Sequence, residues 1–269
     1  MMDLHISKKK QHGYTSFVDD TQDILQNIRL GYVQLSAKDI YDIPPDHTTE
    51  RCIVLLQGAG TVRINEQKPE RIGPRQDVFS QKAWAVYLSI NDSAVIATES
   101  ECECIICSVK ADRQFQSRII TPNDINEHDR GQELFRRDVF DIIAPDFPAH
   151  KIMVGETRNP QGNWSSFPPH KHDCNRGDEE IKLEEAYYFR INPADGFGFQ
   201  RIYDDEKGFD FPMVVKDHSV VLIPYGYHPV AAIPGYSLYY LWVLAGDKRA
   251  LIPYEDPTYQ WIGKTGTRR

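Results

Sequence analysis

The sequence lacks a surplus of basic residues and lacks a long apolar run. Its 31 lysines and arginines are outnumbered by 39 aspartates and glutamates, and the formal net charge is −8. A nucleic-acid partner would require a basic face, so the charge balance argues against one. No apolar stretch reaches the roughly 18 residues that a transmembrane helix needs, so a membrane partner is not expected either.

Cysteine is scarce, and its five copies follow no disulfide spacing. Unpaired thiols of this kind are typical of reduced compartments. The basic N-terminus is followed by no apolar segment and does not resemble a signal peptide, so we expect a cytoplasmic protein. Three cysteines lie close together in residues 102–107, but that segment has the composition of a strand, which favours buried thiols over a metal site.

Helical periodicity is scarce as well. It predicts only a short helix over residues 22–31 and a turn or two over residues 121–137. The other apolar segments are short, rich in β-branched and aromatic residues, and separated by turn residues, which predicts an all-β sandwich or barrel. Two strand-rich zones flank a polar stretch. We therefore predict two tandem β-barrel domains, over residues 1–138 and 139–269.

The sequence does contain histidines that are spaced for metal binding. His170 and His172 stand in the segment NWSSFPPHKHD, residues 163–173. Side chains two apart on a strand point to the same face, so both imidazoles can reach one ion. A third imidazole, that of His228, follows a hydrophobic run in the segment PYGYH.

Two neighbouring glutamates could add a carboxylate to these imidazoles. Glu185 is favoured over Glu184, because strand alternation places Glu185 on the same face as Tyr187. Imidazoles with one carboxylate suit several divalent ions, so the ligand types do not distinguish Zn from Mn or Fe. We predict that one divalent ion is held by His170, His172, Glu185 and His228.

The first strand-rich zone has no His-x-His motif. His47 is its one central histidine, and a lone histidine is more often a surface or core residue than a ligand. We therefore predict that the first barrel binds no metal and serves structure or assembly.

The order His-x-His, Glu, Pro-x-Gly-x-His resembles the way in which a cupin barrel supplies three imidazoles and one carboxylate to a metal. Longer stretches closely resemble the 5-deoxyglucuronate isomerase family of myo-inositol catabolism. They are TRNPQGNWSSFPPHKHD (157–173), LEEAYYFR (183–190), GFGFQR (196–201), PYGYHPV (224–230) and PGYSLYYL (234–241). That family is a bicupin of two tandem jelly-roll barrels, related to the 4-deoxy-5-ketouronate isomerases of pectin breakdown. The likeness is looser over the first half of the chain.

The resemblance implies an aldose–ketose isomerase that converts 5-deoxy-D-glucuronate to 5-dehydro-2-deoxy-D-gluconate. A metal suits this reaction because it can hold the C1 and C2 oxygens and stabilise the enediolate. A general base must then carry a proton from C2 to C1. The sequence singles out no base, and the candidates are Glu156, Lys171 and Tyr187.

The implied substrate is a small sugar acid, whose carboxylate is best recognised by a guanidinium. Arg158 is the first choice because it lies in the stretch that leads into the metal motif, and Arg201 and Arg190 come next. Trp164 is expected to wall the pocket.

Other functions stay open at this point. They are a sister uronate ketol-isomerase, a cupin dioxygenase that would use the same ligands with Fe(II), and a non-enzymatic bicupin that binds a sugar acid. We also expect a homo-oligomer, although no residue points to its interface.

Overall fold

The structure is a computed structural model that describes residues 3–265, with side chains to residue 262. It is nearly all β. The strands are β1 His5–Ile6, β2 Gly13–Val18, β3 Ile28–Leu35, β4 Ile40–Ile43, β5 Thr49–Ile64, β6 Glu70–Arg75, β7 Trp84–Leu88, β8 Ala94–Thr98, β9 Cys102–Lys110, β10 Arg118–Ile120, β11 Asn126–Arg130, β12 Arg137–Ile143, β13 Ile152–Asn159, β14 Trp164–Ser165, β15 His170–Lys171, β16 Glu184–Asn192, β17 Phe197–Asp204, β18 Phe209–Lys216, β19 Val220–Ile223, β20 Val230–Ala232, β21 Ser237–Ala245 and β22 Tyr254–Glu255.

Within the described residues, helical structure is confined to two single 3₁₀ turns and one short helix. The turns are Pro122–Asp124 and Glu133–Phe135, and the helix is α1, Gln260–Thr265. The two turns confirm the prediction of a turn or two between residues 121 and 137. Within residues 3–265, no helix has the length and apolarity to cross a membrane.

The N-terminal unit, strands β2 to β10, is one nine-stranded sheet built around β5. That strand pairs with β7 and β9 along its first part and with β6 and β8 along its second. Its partners change near Gly58, where φ is +108° and where a Cβ would overlap the sulfur of Cys102. Glycine therefore allows one strand to serve both halves of the unit.

The C-terminal unit contains β1 and β11 to β22. Its main sheet has the order β1-β19-β16-β21-β13-β12-β11, a second sheet has the order β14-β20-β17-β18, and β15 pairs with β22. The predicted domain boundary after residue 138 falls inside β12, and β11 and β1, which precede it, pair within this unit. The division into domains at that residue stays a prediction, and residues 1–2 and 266–269 lie outside the described chain.

The two units share a buried apolar layer. One cluster of core residues, which includes Ile53 and Leu55, fills the interior of the N-terminal unit. The larger cluster includes Cys52 and Val54 and continues into the C-terminal unit. Both faces of β5 are thus buried, which explains why its residues 52–56 are continuously apolar rather than alternating. The three cysteines of residues 102–107 are buried in β9, as predicted.

The helix predicted over residues 22–31 is wrong. The side chain of Gln22 accepts hydrogen bonds from the backbone N–H groups of Ile24 and Leu25, and β3 already begins at Ile28. The Glu184 carboxylate accepts two further backbone N–H groups from this turn, those of Gln26 and Asn27. These side-chain bonds offer the backbone an alternative to helical hydrogen bonds.

Candidate metal centre

Short strands and one turn bring the predicted ligands together. β15 holds His170, and His172 follows it directly. Glu185 stands on β16 opposite Ile223, the last residue of β19. The chain then turns through Gly226, where φ is +92°, and returns with His228. A Cβ at Gly226 would lie 2.8 Å from the Phe209 ring, so only glycine fits this turn.

Three of the four predicted ligands converge on one point. One ligand atom each from His172, Glu185 and His228 lies within 4.8 Å of the others, and all three residues are buried. Nε2 of His172 is 3.1 Å and Nε2 of His228 is 3.2 Å from Glu185 Oε2. The His170 ring lies beside them, with its centroid 4.9 Å from that of His228.

The hydrogen bonds of the two imidazoles fit a bound cation. Nδ1 of His172 lies 3.0 Å from the Leu183 carbonyl, and Nδ1 of His228 lies 2.9 Å from the Gly226 carbonyl. A carbonyl only accepts, so in both rings Nδ1 carries the proton and Nε2 of a neutral ring is bare. His228 Nε2 is buried and has no hydrogen-bond partner. Two bare nitrogens that face a buried carboxylate call for a positive charge between them.

Electrostatics keeps two of the imidazoles neutral. Burial lowers the pKa of His170 and of His228 to about 3, so both are in the form that binds metals at pH 7. Burial alone would also lower the pKa of His172, but the nearby Glu185 carboxylate outweighs burial and the net shift is upward. In the absence of a cation, a proton on His172 is therefore the charge that Glu185 attracts.

A second group of candidate ligand atoms belongs to a loop. Asp173, Cys174 and Glu180 also approach one another closely. However, the Glu180 carboxylate accepts the backbone N–H groups of residues 173 and 174 and pairs with Arg176. This group stabilises the loop by satisfying its backbone, and its carboxylate oxygens are already occupied.

A cavity of about 230 Å³ opens beside the three converging ligands. Its polar lining includes Ser166, Tyr187 and Tyr240, and its apolar wall includes Met153, Trp242 and Leu251. This volume lies just below the roughly 300–1,000 Å³ of most ligand pockets, so the cavity suits a ligand at the small end of that range.

Three hydroxyl groups form a cluster in this lining. Ser166 Oγ lies 3.1 Å from the Tyr187 hydroxyl and 3.5 Å from that of Tyr240. Burial raises the pKa of Tyr187 well above its ordinary value, so its hydroxyl keeps its proton at neutral pH. Sequence reasoning missed Ser166 and Tyr240, although both stand in the stretches that carry the family resemblance.

Two of the three candidate bases lie away from the cavity, and strand alternation is the reason. On β13, Met153 and Thr157 face the cavity, whereas Glu156 faces the N-terminal unit and pairs with Arg75. Lys171 lies between two cavity-facing histidines, so its ammonium points the other way and pairs with Asp204 at 2.8 Å. The predicted role as general base does not fit these two positions. Tyr187 does line the cavity.

The structure likewise brings none of the predicted substrate-binding residues to the cavity lining. Arg158 shares the face of Glu156 and donates to the carbonyls of Val78 and Gln81. Arg190 pairs with Glu103 and Asp217, and Arg201 pairs with Asp210. The Trp164 side chain is exposed on the outside of the unit. These guanidiniums are occupied by protein oxygens, which leaves the predicted carboxylate contact without support.

Relatives of this chain are found along nearly its whole length. The profile of the KduI/IolB family matches residues 4–262. A protein of Bacillus subtilis (strain 168) named 5-deoxy-glucuronate isomerase is 40% identical over 269 residues, with 97% of this chain and 99% of the relative covered. A protein of the same name from Geobacillus kaustophilus (strain HTA426) is 40% identical over 214 residues, with 79% and 78% covered.

Solved structures agree with the fold. An IolB-like protein from Salmonella typhimurium LT2 is 33% identical and superposes with a TM-score of 0.92, covering 97% of this chain and 99% of the other. An oxalate decarboxylase from Lactobacillus farciminis, solved as a formate complex, is 11% identical with a TM-score of 0.70, covering 100% and 95%. The second likeness concerns the fold alone. Together they confirm the predicted all-β bicupin fold class of jelly-roll barrels.

Proposed function

The chain belongs to the KduI/IolB family, and from this premise we propose that it is a metal-dependent aldose–ketose isomerase of inositol catabolism. It is an enzyme, an isomerase, as its relatives over most of the chain are. The finer proposal is that its substrate is a small sugar acid, 5-deoxy-D-glucuronate, which it converts to 5-dehydro-2-deoxy-D-gluconate. We also propose that the C-terminal barrel alone carries the metal.

One observation carries the proposal. The Nε2 atoms of His172 and His228 both face the buried Glu185 carboxylate, at 3.1 and 3.2 Å, at the edge of a cavity of about 230 Å³. We assign one divalent ion to these residues together with His170. When bound, such an ion supplies Lewis acidity, which eases the loss of a proton next to a carbonyl group.

The reaction must move one proton from C2 to C1 and a hydroxyl proton from O2 to O1. The cavity lining offers two carboxylates, those of Glu185 and Asp141. Glu185 belongs to the proposed ligand set, so we assign the carbon-to-carbon proton transfer to Asp141. Nε2 of His128 lies 3.0 Å from Asp141 Oδ2 and orients this carboxylate. General bases of this kind contribute about 10²- to 10⁴-fold to rate.

The hydroxyl cluster of Ser166, Tyr187 and Tyr240 has a separate role in this proposal. Each hydroxyl can donate one hydrogen bond and accept others. Because Tyr187 keeps its proton, it is suited to donate to a substrate oxygen on which negative charge develops. The buried, closely packed rings of Tyr187 and Tyr240, with centroids 4.5 Å apart, hold these hydroxyls in place.

The test is proton NMR of the purified protein with 5-deoxyglucuronate, with and without a chelator, alongside an oxygen electrode. We expect the ketose product, no oxygen consumption, and loss of turnover after chelation that is restored by a divalent ion. Oxygen consumption would instead indicate a dioxygenase, and binding without turnover would indicate a sugar-acid-binding protein. An Asp141→Asn variant should keep its metal and lose most of kcat.

A further inference from the structure

Two guanidiniums oppose each other on the hairpin of β11 and β12. The register places Arg130 directly across from Arg137. Alternation puts Arg137 on the same face of β12 as Val139 and Asp141, and Arg130 lines the cavity together with those two residues. Like charges that are directly opposite on a sheet destabilise it, and an anion bound between or beside the two side chains would relieve their repulsion.

Within residues 3–265, no carboxylate lies at ion-pair distance from either guanidinium. Among the described residues, neither Arg130 nor Arg137 forms an ion pair, and the Arg130 side chain forms no hydrogen bond. Arg136, on the same hairpin, is the contrast: it pairs with Asp129 at 3.0 Å and with Asp138 at 2.9 Å. Carboxylates of the hairpin therefore neutralise Arg136, whereas Arg130 and Arg137 form no ion pair with them.

Arg137 is held in place for a ligand. Its Nη1 donates to the carbonyls of Phe135 and Phe167 at 3.1 and 2.9 Å, which fixes the guanidinium and leaves its other N–H groups available. Burial lowers the pKa of this guanidinium, while the adjacent hydroxyls of Tyr240 and Tyr187 act in the opposite direction. Because Phe167 directly follows Ser166, the hydrogen bond to the Phe167 carbonyl places this guanidinium beside the segment that carries the hydroxyl cluster.

We propose that Arg130 and Arg137 together bind the carboxylate of the substrate and make the enzyme selective for sugar acids over neutral sugars. The inference rests on the proposed function, whose substrate class it specifies. A carboxylate accepts two or more N–H groups from planar guanidiniums and removes the repulsion between them. Arg130 is exposed and would contact the carboxylate from the solvent side. Arg137 is already held in position by its two carbonyl contacts.

The experiment compares 5-deoxyglucuronate with 5-deoxyglucose, its neutral analogue, on the metal-loaded enzyme. For Arg130→Ala and Arg137→Ala we expect kcat/KM on the uronate to fall about 10- to 100-fold, mainly through KM, as when a charged hydrogen-bond partner is lost. Activity on the neutral sugar should change little. Arg130→Lys should recover only part of the loss, because it keeps the charge but not the fork.

Arg136→Gln is the matched control, since it removes an arginine of the same hairpin that is paired with carboxylates. It should keep the parent's kinetics on both sugars. Metal content and thermal unfolding of each variant exclude misfolding as the cause. If the parent fails to isomerise the uronate, the proposed function is wrong. If the parent isomerises it and the arginine variants lose equal activity on both sugars, or none, the carboxylate assignment is overturned.

Discussion

Arg75 and Glu156 form a buried, bidentate ion pair that joins the two units of the protein. Nη1 lies 2.8 Å from Oε1 and Nη2 lies 2.9 Å from Oε2, and both side chains are completely buried. The Tyr239 hydroxyl donates to the same carboxylate at 2.6 Å, and Arg75 also donates to the carbonyls of Leu55 and Gln81. Glu156 is thus engaged in assembly rather than in the cavity.

Glu156→Gln should therefore destabilise the protein rather than remove a catalytic base. The variant leaves the Arg75 charge buried without its partner, which costs about 3–5 kcal/mol of unfolding free energy. Urea denaturation measures this loss, and metal content should stay that of the parent. A double replacement, Arg75→Met with Glu156→Leu, should recover most of it. Unchanged stability with abolished turnover would contradict this role.

His172→Ala and His228→Ala should each lower metal stoichiometry well below one per chain. Each removes a bare Nε2 from the converging set, and the remaining ligands cannot complete the coordination. Elemental analysis after dialysis measures the content. His47→Ala serves as the control, because His47 is an exposed side chain of the N-terminal unit and contacts Asn91 of the same unit. Full metal content in His172→Ala would refute the ligand assignment.

Gly226→Ala should impair metal binding without replacing any ligand. The residue has positive φ, and a Cβ would lie 2.8 Å from the Phe209 ring and 2.9 Å from the Tyr203 carbonyl. The turn must shift, and it carries both His228 and the carbonyl that orients its ring. We expect weaker metal affinity in a competition titration with a chelator. Gly208→Ala is the control, because Gly208 also has positive φ but a Cβ there would meet no other atom. This variant shows whether replacing any glycine of positive φ weakens metal binding.

Turnover in deuterated water should place deuterium at C1 of the product. The Asp141 carboxylate lies in a cavity lining that includes the exposed Arg130, so a proton held there can exchange with solvent. Proton NMR of the product measures the incorporation. Product without deuterium would favour a hydride shift or a base shielded from water, and the proton-transfer role of Asp141 would then be abandoned.

Asp46 should stabilise the N-terminal unit at neutral pH but not in acid. Burial alone would raise its pKa, but hydrogen bonds from Thr48 and Thr49 outweigh burial and bring it to about 2. The unfolded-state value is about 3.9. The contribution of Asp46 to the free energy of unfolding is therefore complete well above pH 4, and it is lost as the pH falls from about 4 towards 2.

The variant that tests this pH dependence is Asp46→Asn. We expect it to lower the unfolding free energy by about 1 kcal/mol at pH 7, and the difference from the parent should shrink at pH 3. Asp195→Asn, at an exposed turn, should show no such dependence. A difference between parent and Asp46→Asn that grows in acid would contradict the sign of this linkage.

Local alternation explains why some of the predicted site residues meet in the cavity and others do not. It placed His170 and His172 on one face, and the structure has both beside the cavity. The same alternation turns Lys171 away, and on β13 it separates Glu156 and Arg158 from Thr157. The chemistry of these residues and their nearness in sequence to the metal motif do not determine which face of the strand each side chain occupies.

The strand β11, Asn126–Arg130, shows what sequence reasoning could not reach. It is entirely polar, so it has no hydrophobic alternation by which a strand is recognised. Its place at the edge of the main sheet comes from backbone pairing with β12, and that pairing brings Arg130 opposite Arg137. The turn over residues 22–27 was missed for a related reason, since it depends on the Glu184 carboxylate, which is distant in sequence.

The sequence by itself predicted the fold class from local periodicity, the family from the resemblance of whole segments, and a set of candidate metal ligands from spacings within single segments. Tertiary structure decided which of the chemically suitable residues meet in the cavity. That outcome depends on strand pairing and on the partners that neutralise each charge, as Glu156 neutralises Arg75. A charge is free to bind a ligand only when the fold supplies it no partner, and this is a property of contacts between distant segments.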